Sequence, residues 1–83
     1  MQLSPLVARG RVIAAARMLA GLDQVQLATA AGLSPSTISK IEQGRKNVRQ
    51  DTLRAVSRAL EGLGIDLTQN DRTGHHAVGT SYA

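Results

Sequence analysis

A compact all-α domain of four to five short helices is the fold class this sequence predicts, on three observations. Between Gln24 and Gln43, small and apolar residues (Leu27, Ala28, Ala31, Leu33, Ile38 and Ile41) fall where two helices crossing at a tight turn need them, with Gly32 at the turn. Helix-start signals recur along the chain: Ser4-Pro5, Asp23 with Gln26, and Ser34-Pro35. Aromatic residues are almost absent, Tyr82 being the sole one among 83 residues. A core of Leu, Ile, Val and Ala suits short, closely packed helices.

The first helix opens at Ser4-Pro5, a cap followed by a proline whose missing N–H is not needed there. It should run to about Ala20, closed by Gly21, with Leu6, Ile13, Ala16 and Ala20 along its apolar stripe. Asp23 caps the second helix, over about 24–30, and Gln26 completes a capping box. Leu22 and Leu27 stand at its hydrophobic-staple positions. Gly32 supplies the left-handed exit, and Ser34-Pro35 opens the third helix over about 35–42, with Leu33 and Ile38 repeating the staple. Gln43-Gly44 ends that helix, and a basic loop runs to Arg49.

Leu53, Val56, Ala59, Leu60 and Leu63 define the inner face of a fourth helix over about 50–61, with Asp51 in its first turn, where the helix dipole favours an acid. Ile65-Asp66-Leu67-Thr68 then alternates as a short half-buried strand does. Four residues need a partner strand, and the same segment of a second subunit is one candidate. Residues 69–83 are polar, contain glycine and lack a period, which reads as a flexible tail. The expected organisation is therefore a domain over 1–63, a dimerisation strand over 64–68 and a tail over 69–83.

Composition limits the function classes. A chain of this size buries only about 60% of its unfolded surface, so association with a second copy adds needed stability. The absence of Cys excludes disulfides and thiolate metal sites. No apolar run is long enough to span a membrane. Residues 1–22 carry Arg9, Arg11 and Arg17 without an acid, as transit peptides do, but the first helix reads as part of the fold itself. His75-His76 has no third ligand nearby and reads as a pair of polar residues, not a metal site. No triad, carboxylate pair or phosphate-cradling glycine loop is present, so neither an enzyme nor a cofactor is expected.

The net charge is +4, and the arrangement of the charges is more informative. Lys40, Arg45, Lys46 and Arg49 lie close together, opposed only by Glu42. By itself such a cluster is a solvated basic loop. Directly after the second helix of a helix-turn-helix unit it becomes a phosphate clamp for double-stranded DNA. At about 100° per residue, with Ile38 and Ile41 turned inward, Ser36, Ser39, Lys40 and Gln43 point outward, Pro35 sits at the tip and Thr37 at the side. Pro35, Ser36, Thr37, Ser39 and Lys40 are the candidate base contacts: a lysine donates to guanine, hydroxyls serve several bases, and a proline packs on a thymine methyl. Gln43, Arg45, Lys46, Asn47 and Arg49 are candidate phosphate contacts. The bland alternatives are an αα-hairpin without a DNA role and a solvated surface lysine at position 40.

At Leu22-Asp23-Gln24, Leu27-Ala28, Ala31-Gly32-Leu33-Ser34, Ile38-Ser39, Ile41-Glu42 and Gly44, the chain resembles the Cro/C1 (Xre) helix-turn-helix family over about residues 9–63. The resemblance implies a lambda-repressor-like DNA-binding domain, commonly dimeric, of the kind found in cytoplasmic bacterial and phage repressors and in antitoxins. It implies that the Gln24 amide bonds a phosphate, and that Arg17 and Glu42 form a structural salt bridge joining the first helix to the end of the third. The strand candidate resembles that of persistence-type antitoxins, where it pairs across the dimer; Leu63, Ile65 and Leu67 would then lie in the interface. Two departures stand out. Pro35 occupies a position where many relatives present glutamine, and Arg49 replaces the Ser or Thr that caps the fourth helix. The expected function is a homodimeric, sequence-specific repressor on a palindromic operator. The alternative is an antitoxin or protein-interaction module whose partner is a toxin enzyme.

Overall fold

Each of the first three helices begins where the sequence supplies an oxygen for an orphan backbone N–H. The computed structural model describes residues 4–70 and 75–80. Helix α1 (Pro5–Leu19) is capped by Ser4, whose Oγ accepts from Val7 N at 3.2 Å. Helix α2 (Gln24–Ala31) carries the full capping box: Gln26 N donates to Asp23 Oδ1 at 2.7 Å and Asp23 N to Gln26 Oε1 at 2.9 Å. Helix α3 (Pro35–Glu42) starts at Ser34, whose Oγ accepts from Thr37 N at 3.3 Å. Helix α4 (Gln50–Gly62) begins at Arg49 without a side-chain cap, so only Asp51 favours its first turn.

The buried face of each helix is the one its periodicity marks. Ile13 and Ala16 of α1, Leu27 and Ala28 of α2, Ile38 and Ile41 of α3, and Leu53, Val56 and Leu60 of α4 form one core. Leu6 and Ala20 are only partly buried, and Leu63, at the end of the α4 face, is 47% exposed.

The strand candidate is longer than the alternation suggested, and its partner is in the same chain. Strand β1 (Ile65–Asn70) pairs antiparallel with β2 (His75–Thr80), with Ile65 opposite Thr80 and Leu67 opposite Val78. Two expectations change. The segment 69–83 contains a strand and is not simply a tail, and β1 needs no second subunit to complete a hairpin. Sequence periodicity could not find β2, because Ala77 and Val78 are adjacent in His-His-Ala-Val-Gly-Thr and no alternation results. Pairing with β1 and packing against α1 and α4 settle the hairpin. The side chains of His75 and His76, and with them the metal reading, lie outside the described residues.

Ile65 is 3% exposed and belongs to the core of its own chain, and Leu67 packs against that core. Of the three residues expected at a dimer interface, Leu63 therefore keeps apolar surface to bury, Ile65 has almost none, and Leu67 keeps part.

The crossing of α1 over the C-terminal end of α3 depends on Gly10. A Cβ built there meets the carbonyl oxygens of Ile41 and Glu42, each at 2.6 Å. Backbone oxygens cannot swing aside as a side chain can. Alanine is about 1 kcal/mol the better helix former in an open position, so Gly10→Ala tests which effect wins. The expected result is a net loss of about 1–3 kcal/mol from overpacking. It should be read as a fall of about 4–8 °C in thermal midpoint per kcal/mol.

Candidate nucleic-acid interface

Helix α3 is held from behind. Ile38 and Ile41 are 0% and 2% exposed, while Pro35, Ser36 and Lys40 on the other side are exposed and Thr37 and Ser39 are partly so. The outward row Ser36, Ser39, Lys40 and Gln43 shares one concave surface with the basic loop, which adds Gly44, Arg45, Lys46, Asn47 and Val48. Base-contact and phosphate-contact candidates thus lie side by side, as a helix entering a groove between two backbones requires. Arg49 lies farther along, and its 3.4 Å contact with Asp51 joins two highly exposed side chains. An ion pair that open is worth at most about 1 kcal/mol, so Arg49 can exchange Asp51 for a phosphate at little cost.

The hydroxyls at the front of α3 are hydrogen-bonded to one another. Ser34 Oγ lies 3.1 Å from Ser36 Oγ and 2.8 Å from Thr37 Oγ1. At the back of the helix, Gln43 Nε2 donates to Ser39 Oγ at 2.9 Å, and Arg45 Nε donates to Gln43 Oε1 at 3.1 Å. Sequence reasoning had no means to find this Ser39–Gln43–Arg45 chain, because its last link depends on how the polypeptide turns at Gly44. That glycine has φ 76°, and a Cβ on it would lie 2.9 Å from Val7 Cα. Left-handed backbone and close approach both demand glycine. The turn is locked by Arg45 N donating to Lys40 O at 3.1 Å, the long bond of a Schellman motif.

Behind this surface, Arg17 and Glu42 form a two-pronged pair. Arg17 Nε lies 2.8 Å from Glu42 Oε2, and its Nη2 lies 3.2 Å from Oε1. Arg17 Nη1 also donates to Leu22 O at 3.0 Å. The hydrogen bond to Glu42 is the main cause of a raised Arg17 pKa; burial opposes it, and the charges of Glu42 and Asp23 add to it. One guanidinium thus ties the end of α3 to the α1–α2 turn.

Gln24, assigned to a phosphate on the sequence, has a protein partner as well. Its Nε2 donates to Glu42 Oε1 at 3.1 Å, so α2 joins the same network. The amide nitrogen carries a second hydrogen, which leaves a donor on a side chain already held in place. The backbone N–H groups at the start of α2 are less available than expected, since Asp23 takes that of Gln26. Among the described residues no helix is long and apolar enough to cross a membrane.

Comparison with known proteins agrees with this geometry. The profile of the helix-turn-helix family matches residues 13–67. Among solved structures, the chain is similar to the clp gene regulator ClgR from C. glutamicum at 31% identity and a TM-score of 0.65, covering 74% of this chain and 78% of that one. It is also similar to the restriction-modification controller protein C.AhdI from Aeromonas hydrophila at 26% identity and a TM-score of 0.66, covering 88% of this chain and all of that one (100%). No curated protein sequence matches it. With the profile spanning more than half the chain and both similar structures sharing its fold, this chain belongs to the Xre-type helix-turn-helix family of DNA-binding transcription regulators.

Proposed function

We propose that this protein is a repressor that binds a palindromic operator as a homodimer, with α3 of each subunit in the major groove of one half-site. The observation that carries this reading is the division of α3 into two faces. Ile38 and Ile41 are committed to the core, while Ser36 and Lys40 are exposed beside a basic loop. Lys40 reads a guanine, Ser36, Thr37 and Ser39 contact neighbouring base edges, and Pro35 meets a thymine methyl. Gln24, Lys46, Asn47 and Arg49 hold phosphates on either side. Leu63, exposed at the end of α4, and the remaining surface of Leu67 supply the apolar part of the dimer contact. The names of the two similar structures, a gene regulator and a restriction-modification controller, fit a role in transcription control.

The test is selection of DNA fragments from a random pool by the purified protein. The expected product is a two-fold symmetric site whose half-sites are about 34 Å apart, one turn of B-DNA. Enrichment of an unpaired half-site would contradict the dimer, and no enrichment at all would contradict sequence-specific binding. On the selected site, Lys40→Ala should weaken binding by roughly 1–3 kcal/mol and relax the preference at one G·C pair. Uniform weakening over all sequences would make Lys40 a phosphate contact.

A further inference from the structure

The Ser39–Gln43–Arg45 chain changes the role of its last member. An arginine that simply clamps phosphate needs charge and reach, not orientation, and a flexible loop suits it. Arg45 is restrained twice. Its backbone N–H is bonded to Lys40 O at 3.1 Å, and its side-chain Nε is bonded to Gln43 Oε1 at 3.1 Å. Gln43 is itself oriented, because its Nε2 donates to Ser39 Oγ at 2.9 Å. The amide therefore cannot flip without exchanging an acceptor for a donor in front of the guanidinium. Arg45 lines the same concave surface as Ser36, Ser39 and Lys40, the residues that face the bases in the proposed complex.

We infer that Arg45 is a specificity-determining residue that reads a guanine, with Gln43 as its positioning residue. The inference rests on the proposed function. With Nε engaged, the two Nη groups remain as a pair of parallel donors at the far end of a planar fork, the arrangement that matches guanine O6 and N7 together. Lys40 offers a point charge and donates to any strong acceptor within reach. Arg45 imposes a geometry. Each half-site then contains a second guanine, distinct from the one that Lys40 contacts.

The experiment compares the wild type with Arg45→Ala, Arg45→Lys, Gln43→Ala and the double variant Gln43→Ala/Arg45→Ala. Each is titrated against the selected site and against sites with one pair replaced, over a series of salt concentrations. Gln43 and Arg45 are exposed, and unchanged thermal midpoints will establish that the variants fold. Arg45→Ala should bind the selected site roughly ten- to a hundredfold more weakly and lose discrimination at one G·C pair per half-site, with its salt slope unchanged. Arg45→Lys should not restore that discrimination, since it keeps the charge and loses the fork. Gln43→Ala should lose part of the discrimination at the same pair, and the double variant should lose no more than Arg45→Ala alone.

A shallower salt slope in Arg45→Ala with base preference intact, or full rescue by lysine, would overturn the inference and make Arg45 a phosphate contact. Additive losses in the double variant would remove Gln43 from its positioning role. If the wild type selects a symmetric site and Arg45→Ala discriminates within it as well as the wild type does, this inference alone fails. If the wild type selects nothing, it falls together with the proposed function.

Discussion

Replacing Glu42 by alanine is expected to cost about 3–5 kcal/mol of folding stability, because it strands a largely buried charge. The Arg17 and Glu42 side chains are only 16% and 8% exposed. Both carboxylate oxygens are in use: Oε2 accepts from Arg17 Nε, and Oε1 accepts from Arg17 Nη2 and Gln24 Nε2. Without the carboxylate, Arg17 keeps only Leu22 O among these partners, and the Gln24 amide loses its acceptor. Arg17 cannot escape by losing its proton, because a guanidinium stays charged throughout the range in which proteins fold, and in the wild type the bond to Glu42 raises its pKa further. A raised folded-state pKa places the stabilisation on the acid side. It is fully present below the unfolded pKa and disappears only as pH rises through the folded one. Arginine's contribution therefore stays intact across the neutral and mildly basic range. For a domain whose total stability is about 5–15 kcal/mol, such a loss leaves a substantial unfolded population. Urea denaturation at neutral pH measures it directly. A change below about 1 kcal/mol would mean that the pair behaves as an exposed one. Because Glu42 is the last residue of α3, operator affinity should also fall in the fraction that remains folded.

Operator affinity is expected to fall about 150-fold when salt is raised from about 50 to about 200 mM, a log–log slope of about −3.6. The slope follows from about two phosphates neutralised by cations in each subunit and four per dimer, each contributing about −0.9 on B-DNA, while the neutral Gln24 and Asn47 contacts add nothing to it. Lys46 and Arg49 are the cations best placed for this work, both exposed and flanking Asn47 and Val48 on the loop between α3 and α4. The double variant Lys46→Ala/Arg49→Ala should remove most of the slope and leave the order of preference among operator variants unchanged. A wild-type slope near zero would rule out phosphate neutralisation as the source of affinity. A slope that survives the double variant would locate the phosphate contacts elsewhere on the chain. Arg45→Ala gives the contrasting result, since loss of a base contact changes preference and not slope.

Local signals accounted for most of the helical architecture. Ser4, Asp23 and Ser34 cap the helices they precede, and the three predicted start points stand where the structure begins α1, α2 and α3. Helix α4 extends one residue beyond its expected end. The inward direction of α3 follows from Ile38 and Ile41 alone, since two isoleucines three positions apart leave only one side of a short helix for the core. The Arg17–Glu42 pair was within reach through family resemblance, its residues lying far apart in the chain. Gln24 was harder, because the same resemblance pointed it outward at a phosphate and nothing local indicated Glu42 as its partner.

What the chain determines by itself is whatever depends on neighbours within about one helical turn: caps, exits, apolar faces and the placement of a basic loop behind a recognition helix. Tertiary structure decided the rest, because those features depend on groups distant in sequence arriving at one place. Gly10 looks like a weak point in a helix until the carbonyls of Ile41 and Glu42 are set against it. The segment after α4 looks like a lone strand and a tail until β2 folds back on β1 and draws Ile65 into the core. Gln24 reads as a phosphate contact alone until Glu42, at the end of α3, meets its amide. Each of these is a contact whose geometry exists only once the helices have packed.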